Sequence, residues 1–362
     1  MRSHAPMFDP EVIPATQAVV ADFVTDDTIN PTKFMMPALS DLVDRKPVKS
    51  KGLAAIGIAA DGISVCRVMY DKYLPLLDIC EFKPCLQSER VSVLQKLMKT
   101  HDLGYSMCTT VQDPGFYSLH LVDGPNVPPS EMKSAIRWRI MDLIDYDIDD
   151  AVYDVFNVPG RNLRGQGGRM MYAVVARAAE IRQRIELFKS AGLKLSFIDV
   201  PELALRNIAA LLPQNKEGVA LLHFTQQGGI VTLVHNSILY VARNINIGTR
   251  SLRNARTKAV QETPERTSAL PGEFQGYINS IVLEVERALE YYDLHSSNPP
   301  ITTLYIPPLE SEVPGITKAL SDNLSIAIHV LDINTVMDCP KLINENLQVR
   351  SLITIGAALR HG

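Results

Sequence analysis

From Leu53 onward, apolar runs are separated by short polar breaks. LAAIGIAA is followed by Asp61-Gly62, then ISVCRVMY, then Asp71-Lys72, then YLPLLDICEF. An Asp-Gly pair between two apolar runs is a strong hairpin signal, so a three-strand meander is predicted. Val91, Leu94, Leu97 and Met98 fall at helical spacing, and Tyr105 to Val111 and Tyr117 to Val122 read as further strands. Pro128-Pro129-Ser130-Glu131 opens a helix predicted over Glu131 to Ile144, with Ser130 as its cap and Glu131 complementing the dipole. Its stripe is Met132, Ala135, Ile136, Ile140, Leu143 and Ile144; Trp138 sits beside it and is expected to lie between helix and sheet. AVYDVFNV, within Asp149 to Pro159, and Met170 to Ala176 are strands. A helix over Glu180 to Ala191 closes at Gly192, and a strand over Leu193 to Val200 leads into a short helix at Glu202 to Leu212.

The pattern then repeats. Gly218-VALLHFTQQGG-Ile230-VTLVHNS-Ile238-LYVARNI echoes Gly52-LAAIGIAADG-Ile63-SVCRVMYDKY-Leu74-PLLDI at an offset of about 166 residues. That offset is too long for a solenoid repeat and suits two homologous α/β halves. The second half continues with a long helix bearing Ile278, Ile281, Val282, Val285, Ala288, Leu289 and Tyr292 on one face. Strands at Thr302 to Ile306 and Ile326 to Ile333 and a last helix at Leu352 to Leu359 complete it. The 362 residues thus divide into an extension over 1–50, partly disordered and with one short apolar stretch, a first lobe over 51–215 and a second lobe over 216–362. The first lobe carries an inserted subdomain at about 123–190.

Composition narrows the class without choosing a function. A net charge of −4 with both signs spread along the chain is not the footprint of a nucleic-acid binder. Gly218 to Ala242 carries no formal charge and is long enough to cross a bilayer, but Gln226-Gln227-Gly228-Gly229 and His235-Asn236-Ser237 place turn formers at bilayer depth. It reads as three strands and two turns. The first residues lack the apolar core of a secretory signal, so a cytoplasmic location is expected. Cys66, Cys80, Cys85, Cys108 and Cys339 have no metal-site spacing and are expected to be reduced and packed.

Candidate chemistry outside the repeats is sparse. Asp145, Asp147, Asp149 and Asp150 read as a solvated connection, and Arg161, Arg164 and Arg169 as a basic hairpin tip. Arg250, Arg253, Arg256 and Lys258 make a second basic patch at helical spacing, a candidate membrane or partner face. No nucleophile elbow or Walker A pattern appears, and His295-Ser296-Ser297 lacks a positioned acid.

Several blocks carry a family resemblance. Pro129-Ser130-Glu131-Met132, Ala135-Ile136-Arg137-Trp138, Asp142-Leu143-Ile144-Asp145-Tyr146 and Asp149-Asp150-Ala151-Val152-Tyr153-Asp154 come first. Ile198-Asp199-Val200-Pro201-Glu202, Leu239-Tyr240-Val241-Ala242-Arg243, Leu283 to Tyr292 and Ile355-Gly356-Ala357-Ala358-Leu359-Arg360 follow in order. Together they resemble PilM-like type IV pilus biogenesis proteins over Leu53 to Arg360. The resemblance implies the two-lobed fold of actin, Hsp70 and the sugar kinases, a duplicated ribonuclease H-like unit. It also implies a non-catalytic scaffold at the cytoplasmic face of the inner membrane, holding the cytoplasmic tail of a PilN-like bitopic protein and contacting the assembly motor's platform. Self-association stays open as a further partnership.

ATP-using members of the fold close two Gly turns on the phosphates and use an acid at the end of each first strand to orient Mg²⁺. Matched to that pattern, the first acid falls on Ala59, Asp61 stands beside Gly62 where Gly is usual, and no acid lies near His223 to Thr225. Gln227, Gly228 and Gly229 form the second turn, and a late Gly-rich turn aligns with Pro307-Pro308-Leu309-Glu310-Ser311. These departures argue against ATP–Mg²⁺ binding and hydrolysis; Gly62, Ser64, Gly228 and Gly229 read as plain turn residues. The alternatives are an ATP-switched regulator and the cytoplasmic subunit of a type II secretion platform, which usually continues into a membrane span not found before Gly362. Partner contacts are expected where the inserted subdomain meets its helix, at Trp138, Tyr153, Val155, Met171 and Tyr172.

Overall fold

A computed structural model describes residues 53–70, 74–104, 106–158, 170–262, 272–310 and 313–360. The Met1 to Ser50 extension and the Arg161, Arg164 and Arg169 loop lie outside the described residues. The first series of elements is β1 (Leu53–Ala59), β2 (Gly62–Tyr70), β3 (Pro75–Pro84), α1 (Arg90–Thr100), β4 (Cys108–Val111), β5 (Tyr117–Asp123) and α2 (Pro129–Met141). It continues with β6 (Ala151–Asn157), β7 (Met170–Arg177), α3 (Ala178–Ser190), β8 (Leu195–Asp199) and α4 (Pro201–Ala209). The second series is β9 (Val219–Phe224), β10 (Gly229–His235), β11 (Ile238–Ile245), α5 (Thr249–Glu262), α6 (Gly272–His295), β12 (Thr303–Ile306), α7 (Ile316–Ser321), β13 (Ala327–Val330) and α8 (Glu345–Ala358).

The echo in sequence is an echo in topology. One sheet runs β3-β2-β1-β4-β8 and the other β11-β10-β9-β12-β13. In each, a meander of three antiparallel strands is extended by two parallel ones, which need helical crossovers to return the chain. This is the duplicated unit of an actin-like fold. A third, antiparallel sheet is β5-β7-β6, and α2 covers it with fully buried Ile136 and Ile140. It takes in β5, which precedes the expected start of the insertion at about 123, whereas α3, inside the expected span, packs through Ile181 and Phe188 in the core cluster that holds Ala54, Ile56 and Ile58 of β1.

Three local expectations need correction. The helix α2 starts at Pro129 after Pro128, so Ser130 lies inside its first turn and no side chain caps that end; Pro129 has no N–H to satisfy there. Trp138 is 68% exposed, because Ile136 and Ile140, four apart, take the inward side and leave the position between them facing water. The last helix begins at Glu345, well before Leu352, with Asn344 Oδ1 accepting the Leu347 N–H at 2.9 Å; its first turns are polar and so carry little apolar periodicity.

Each half of the chain lends its last helix to the other half's sheet. From the first half, α4 packs on β9, β10 and β11, while α8, from the second, lies across β1, β2, β3 and β4. The two helices cross at Gly356, where a Cβ would stand 2.3 Å from the Ala204 carbonyl oxygen, and Asn207 Nδ2 donates to the Gly356 carbonyl at 2.8 Å. Beside the crossing, Arg360 Nη1 meets Asp199 Oδ2 at 3.1 Å with both side chains buried. The Tyr117 hydroxyl donates to Glu202 Oε2 at 2.7 Å, and burial raises that carboxyl above its ordinary range.

Candidate functional site: the cleft between the lobes

Three loops face one another across the cleft: the β1–β2 turn, the β9–β10 turn and the loop after β12. A chain of side chains joins them. Arg350 of α8 pairs with Asp61 of the first turn and stands 3.8 Å from Glu310 Oε1 in the loop after β12. Gln226 Nε2, from the second turn, donates to the same Glu310 oxygen at 2.7 Å. Arg250, at the start of α5, donates to Gln226 Oε1 at 2.9 Å. The Arg350 guanidinium also lies 5.1 Å from the Phe82 ring centre, which holds its stem on the first lobe.

In the second turn and at the start of α5, amides that would cradle an anion are already engaged. In the second turn, Thr225 Oγ1 accepts the Gly228 N–H at 3.1 Å and the Gln227 N–H at 3.4 Å. The first amides of α5 are taken as well, Thr249 N–H by the Thr225 carbonyl at 3.0 Å and Arg250 N–H by the Gln226 carbonyl at 3.1 Å. In the first turn the Ala59 carbonyl accepts from Arg90 Nη2 at 2.9 Å. Ser64 points away from the turn and shares a 2.5 Å hydrogen bond with Thr354 of α8.

Local packing accounts for the turn glycines. A Cβ at Gly62 would stand 2.5 Å from the Phe82 ring and the Lys83 carbonyl; one at Gly229 would stand 2.9 Å from the Phe224 ring. At Gly228 the obstacle is the Ile245 carbonyl at 2.9 Å. Where the second acid of an ATP-using relative would lie, His223 is buried, and burial pushes its imidazole down to about 4, so it is neutral at pH 7. Pro307 is buried and Pro308 half-buried, and neither has an N–H to offer a ligand. Both cleft carboxylates described above, Asp61 and Glu310, face Arg350.

The expected partner residues scatter around the three-stranded sheet and α2. Tyr153 and Val155 are half-buried on β6 against the α2 cluster, and Met171 is buried in that cluster. Tyr172 faces the other way, as alternation along a strand requires, and its hydroxyl accepts the Ala242 N–H of β11 at 2.9 Å. Met171 and Tyr172 therefore hold the sheet in place and present no surface of their own. Trp138 is the exposed member.

The second basic patch is also divided. Arg250 turns into the cleft, and Arg256 lies over the Phe274 ring at 5.5 Å. In the acidic connection, Asp145 meets Arg177 at 3.1 Å and Asp149 pairs with Arg137. Sequence reasoning missed Arg350, because a lone arginine in an unremarked polar turn carries no local signal of a partner 289 residues away.

The sequence profile of the family described as Type IV pilus assembly protein PilM matches residues 125–361. The chain belongs to the PilM family. The match takes in the second turn, the loop after β12 and α8, and begins after the first turn. A solved PilM-PilN type IV pilus biogenesis complex is similar to this PilM-family chain with a TM-score of 0.65 and 17% identity, covering 85% of this chain and 98% of that one. At that identity the likeness establishes the shared fold. A Bacteroides thetaiotaomicron protein of actin-like ATPase fold and unknown function has a TM-score of 0.44 at 9% identity, covering 84% of this chain and 97% of its own. The cytoplasmic domain of EpsL, an inner membrane component of the Vibrio cholerae type II secretion system, has a TM-score of 0.43 at 10% identity, covering 84% and 94%. No curated protein sequence matches.

Proposed function

We propose that this PilM-family protein is a non-catalytic scaffold of a type IV pilus inner-membrane platform, of the mannose-sensitive haemagglutinin type that MshI serves. It binds the cytoplasmic tail of a PilN-like bitopic protein and is held through that partner at the cytoplasmic face of the inner membrane. Among the described residues, no helix is long and apolar enough to cross a membrane, so the reading places attachment in a partner.

The observation that carries the non-catalytic part is the chain Asp61, Arg350, Glu310, Gln226 and Arg250, which joins all three cleft loops through the protein's own side chains. Nucleotide chemistry would need a free carboxylate and free turn amides at those positions, and Ala59, neutral His223 and Pro307-Pro308 stand there instead. For the tail, β6 is an edge strand whose backbone can pair with an extended segment, with Tyr153 and Val155 half-buried on it and Trp138 exposed nearby on α2.

Three measurements test this reading. Titration with ATP and Mg²⁺ gives no thermal shift and no calorimetric heat; saturable heat at micromolar nucleotide overturns the non-catalytic cleft. Co-purification with the bitopic partner is lost when that partner's cytoplasmic tail is removed, and persistence without the tail overturns the scaffold reading. Trp138→Ala and Tyr153→Ala weaken tail binding at least tenfold if the β6 edge is the seat; unchanged binding moves the seat elsewhere.

A further inference from the structure

Away from the cleft loops, two thiols meet across adjacent strands. Cys66 on β2 and Cys80 on β3 are directly opposed in the antiparallel register, and their sulfurs stand 3.8 Å apart. Cys66 is fully buried, whereas Cys80, on the outermost strand of its sheet, is partly exposed. We propose that this pair is a redox modification site, which a hydroperoxide closes to a Cys66–Cys80 disulfide and a thiol reductant reopens.

The geometry divides the roles. Cys66 donates its S–H toward Cys80 Sγ, which favours the thiolate on the more accessible sulfur, while burial keeps Cys66 protonated. The hydroxyl of Ser351 on α8, fully buried, acts to lower both thiols, while burial acts to raise them. Opposed residues in an antiparallel pair have Cα atoms about 4.5–5.5 Å apart, inside the range a disulfide spans, so side-chain rotation is enough to close the bond.

With hydrogen peroxide, the Cys80 thiolate attacks one oxygen and the O–O bond breaks. Cys80 becomes a sulfenic acid, and hydroxide leaves to take up a proton as water. The Cys66 sulfur then attacks that sulfur; the S–S bond forms, the S–O bond breaks, and the hydroxyl leaves with the Cys66 proton as a second water. The pair loses two electrons and the peroxide gains them.

The remaining described thiols are poorer nucleophiles. Burial pushes Cys108 up to about 12 and Cys339 up to about 11. Cys339 is the rival to watch, since its segment is tied to β3 through Leu77 N–H to the Asp338 carbonyl at 2.8 Å.

The test treats the full chain, folded, with hydrogen peroxide, then blocks free thiols in denaturant and maps the peptides without reduction. Alkylatable cysteines fall from the five in the sequence to three, the mass drops by two hydrogens, and a cross-linked peptide joins Cys66 to the Tyr73 to Arg90 segment. Cys85→Ser keeps that product, which assigns it to Cys80, and Cys80→Ser loses it. Dithiothreitol restores all five thiols. Five unreacted thiols, oxidation that stops on Cys80 alone, or a cross-link to Cys85 or Cys339 overturns the proposal.

Discussion

Along α8, Arg350 and Gly356 lie six residues apart, about 9 Å, yet they sit in different physical settings. Around Arg350 the side chain keeps 29% of its exposure and its partner Asp61 keeps 54%, so water screens their attraction. Around Gly356 the α4 backbone leaves no room for a methyl group, and the neighbouring Arg360 and Asp199 side chains are 7% and 1% exposed. A solvated ion pair contributes about 0–1 kcal/mol, whereas stripping a buried charge of its partner costs about 3–5 kcal/mol. The same helix is therefore anchored at its end and only latched at its start. A seam built this way is predicted to loosen at the cleft loops before it loosens at the crossing.

The largest expected effect is at the anchored end. Arg360→Met removes the ion-pair partner of the buried Asp199 carboxylate, with Arg206 the cation that remains near it, and lowers stability by about 4 kcal/mol in a urea titration. A loss below about 1 kcal/mol would erase the contrast. Gly356→Val forces α4 and α8 apart and lowers stability by about 3 kcal/mol in the same titration.

His223 sharpens the picture from beneath the second turn. Its imidazole, held near 4 in the fold against an ordinary 6.5, is neutral in the native protein while the unfolded chain binds a proton in that window. Stability contributed by its neutral state is complete above pH 6.5 and is lost as pH falls toward 4, by at most about 3 kcal/mol. His223→Leu flattens that part of the pH profile; an unchanged slope assigns the acid sensitivity to other groups.

The smallest effect is at the latch. Arg350→Ala changes stability by no more than about 1 kcal/mol, while amide hydrogen exchange accelerates at the 59–62 and 225–229 turns. Raising salt on the unaltered protein moves exchange there in the same direction. Unchanged exchange in both experiments would mean that packing, and not the side-chain chain, closes the cleft loops.

Much of the fold was legible because its signals are local. Asp61-Gly62 between apolar runs announces the first hairpin, and Gln227-Gly228-Gly229 announces its counterpart; the strands fall beside them in both halves. The absence of acids at Ala59 and near His223 was equally plain. Where periodicity thins, the reading shortened or misplaced an element, as at the polar first turns of α8 and the Pro128-Pro129 start of α2. Trp138 was misjudged because a residue beside a stripe has no pattern of its own; only the inward turn of Ile136 and Ile140 settles where it faces.

By itself the sequence determined the duplication, the meanders, the turns between their strands and the residue types at the cleft, since each depends on neighbours within a few positions. Tertiary structure alone decided that α4 and α8 exchange sheets, that Arg350 reaches Asp61 from 289 positions away, and that Asp199 and Arg360 are buried together. Such contacts join side chains whose chain separation is large, so they leave no periodic trace. Their strength follows from burial, which exists only once the two lobes have closed on each other.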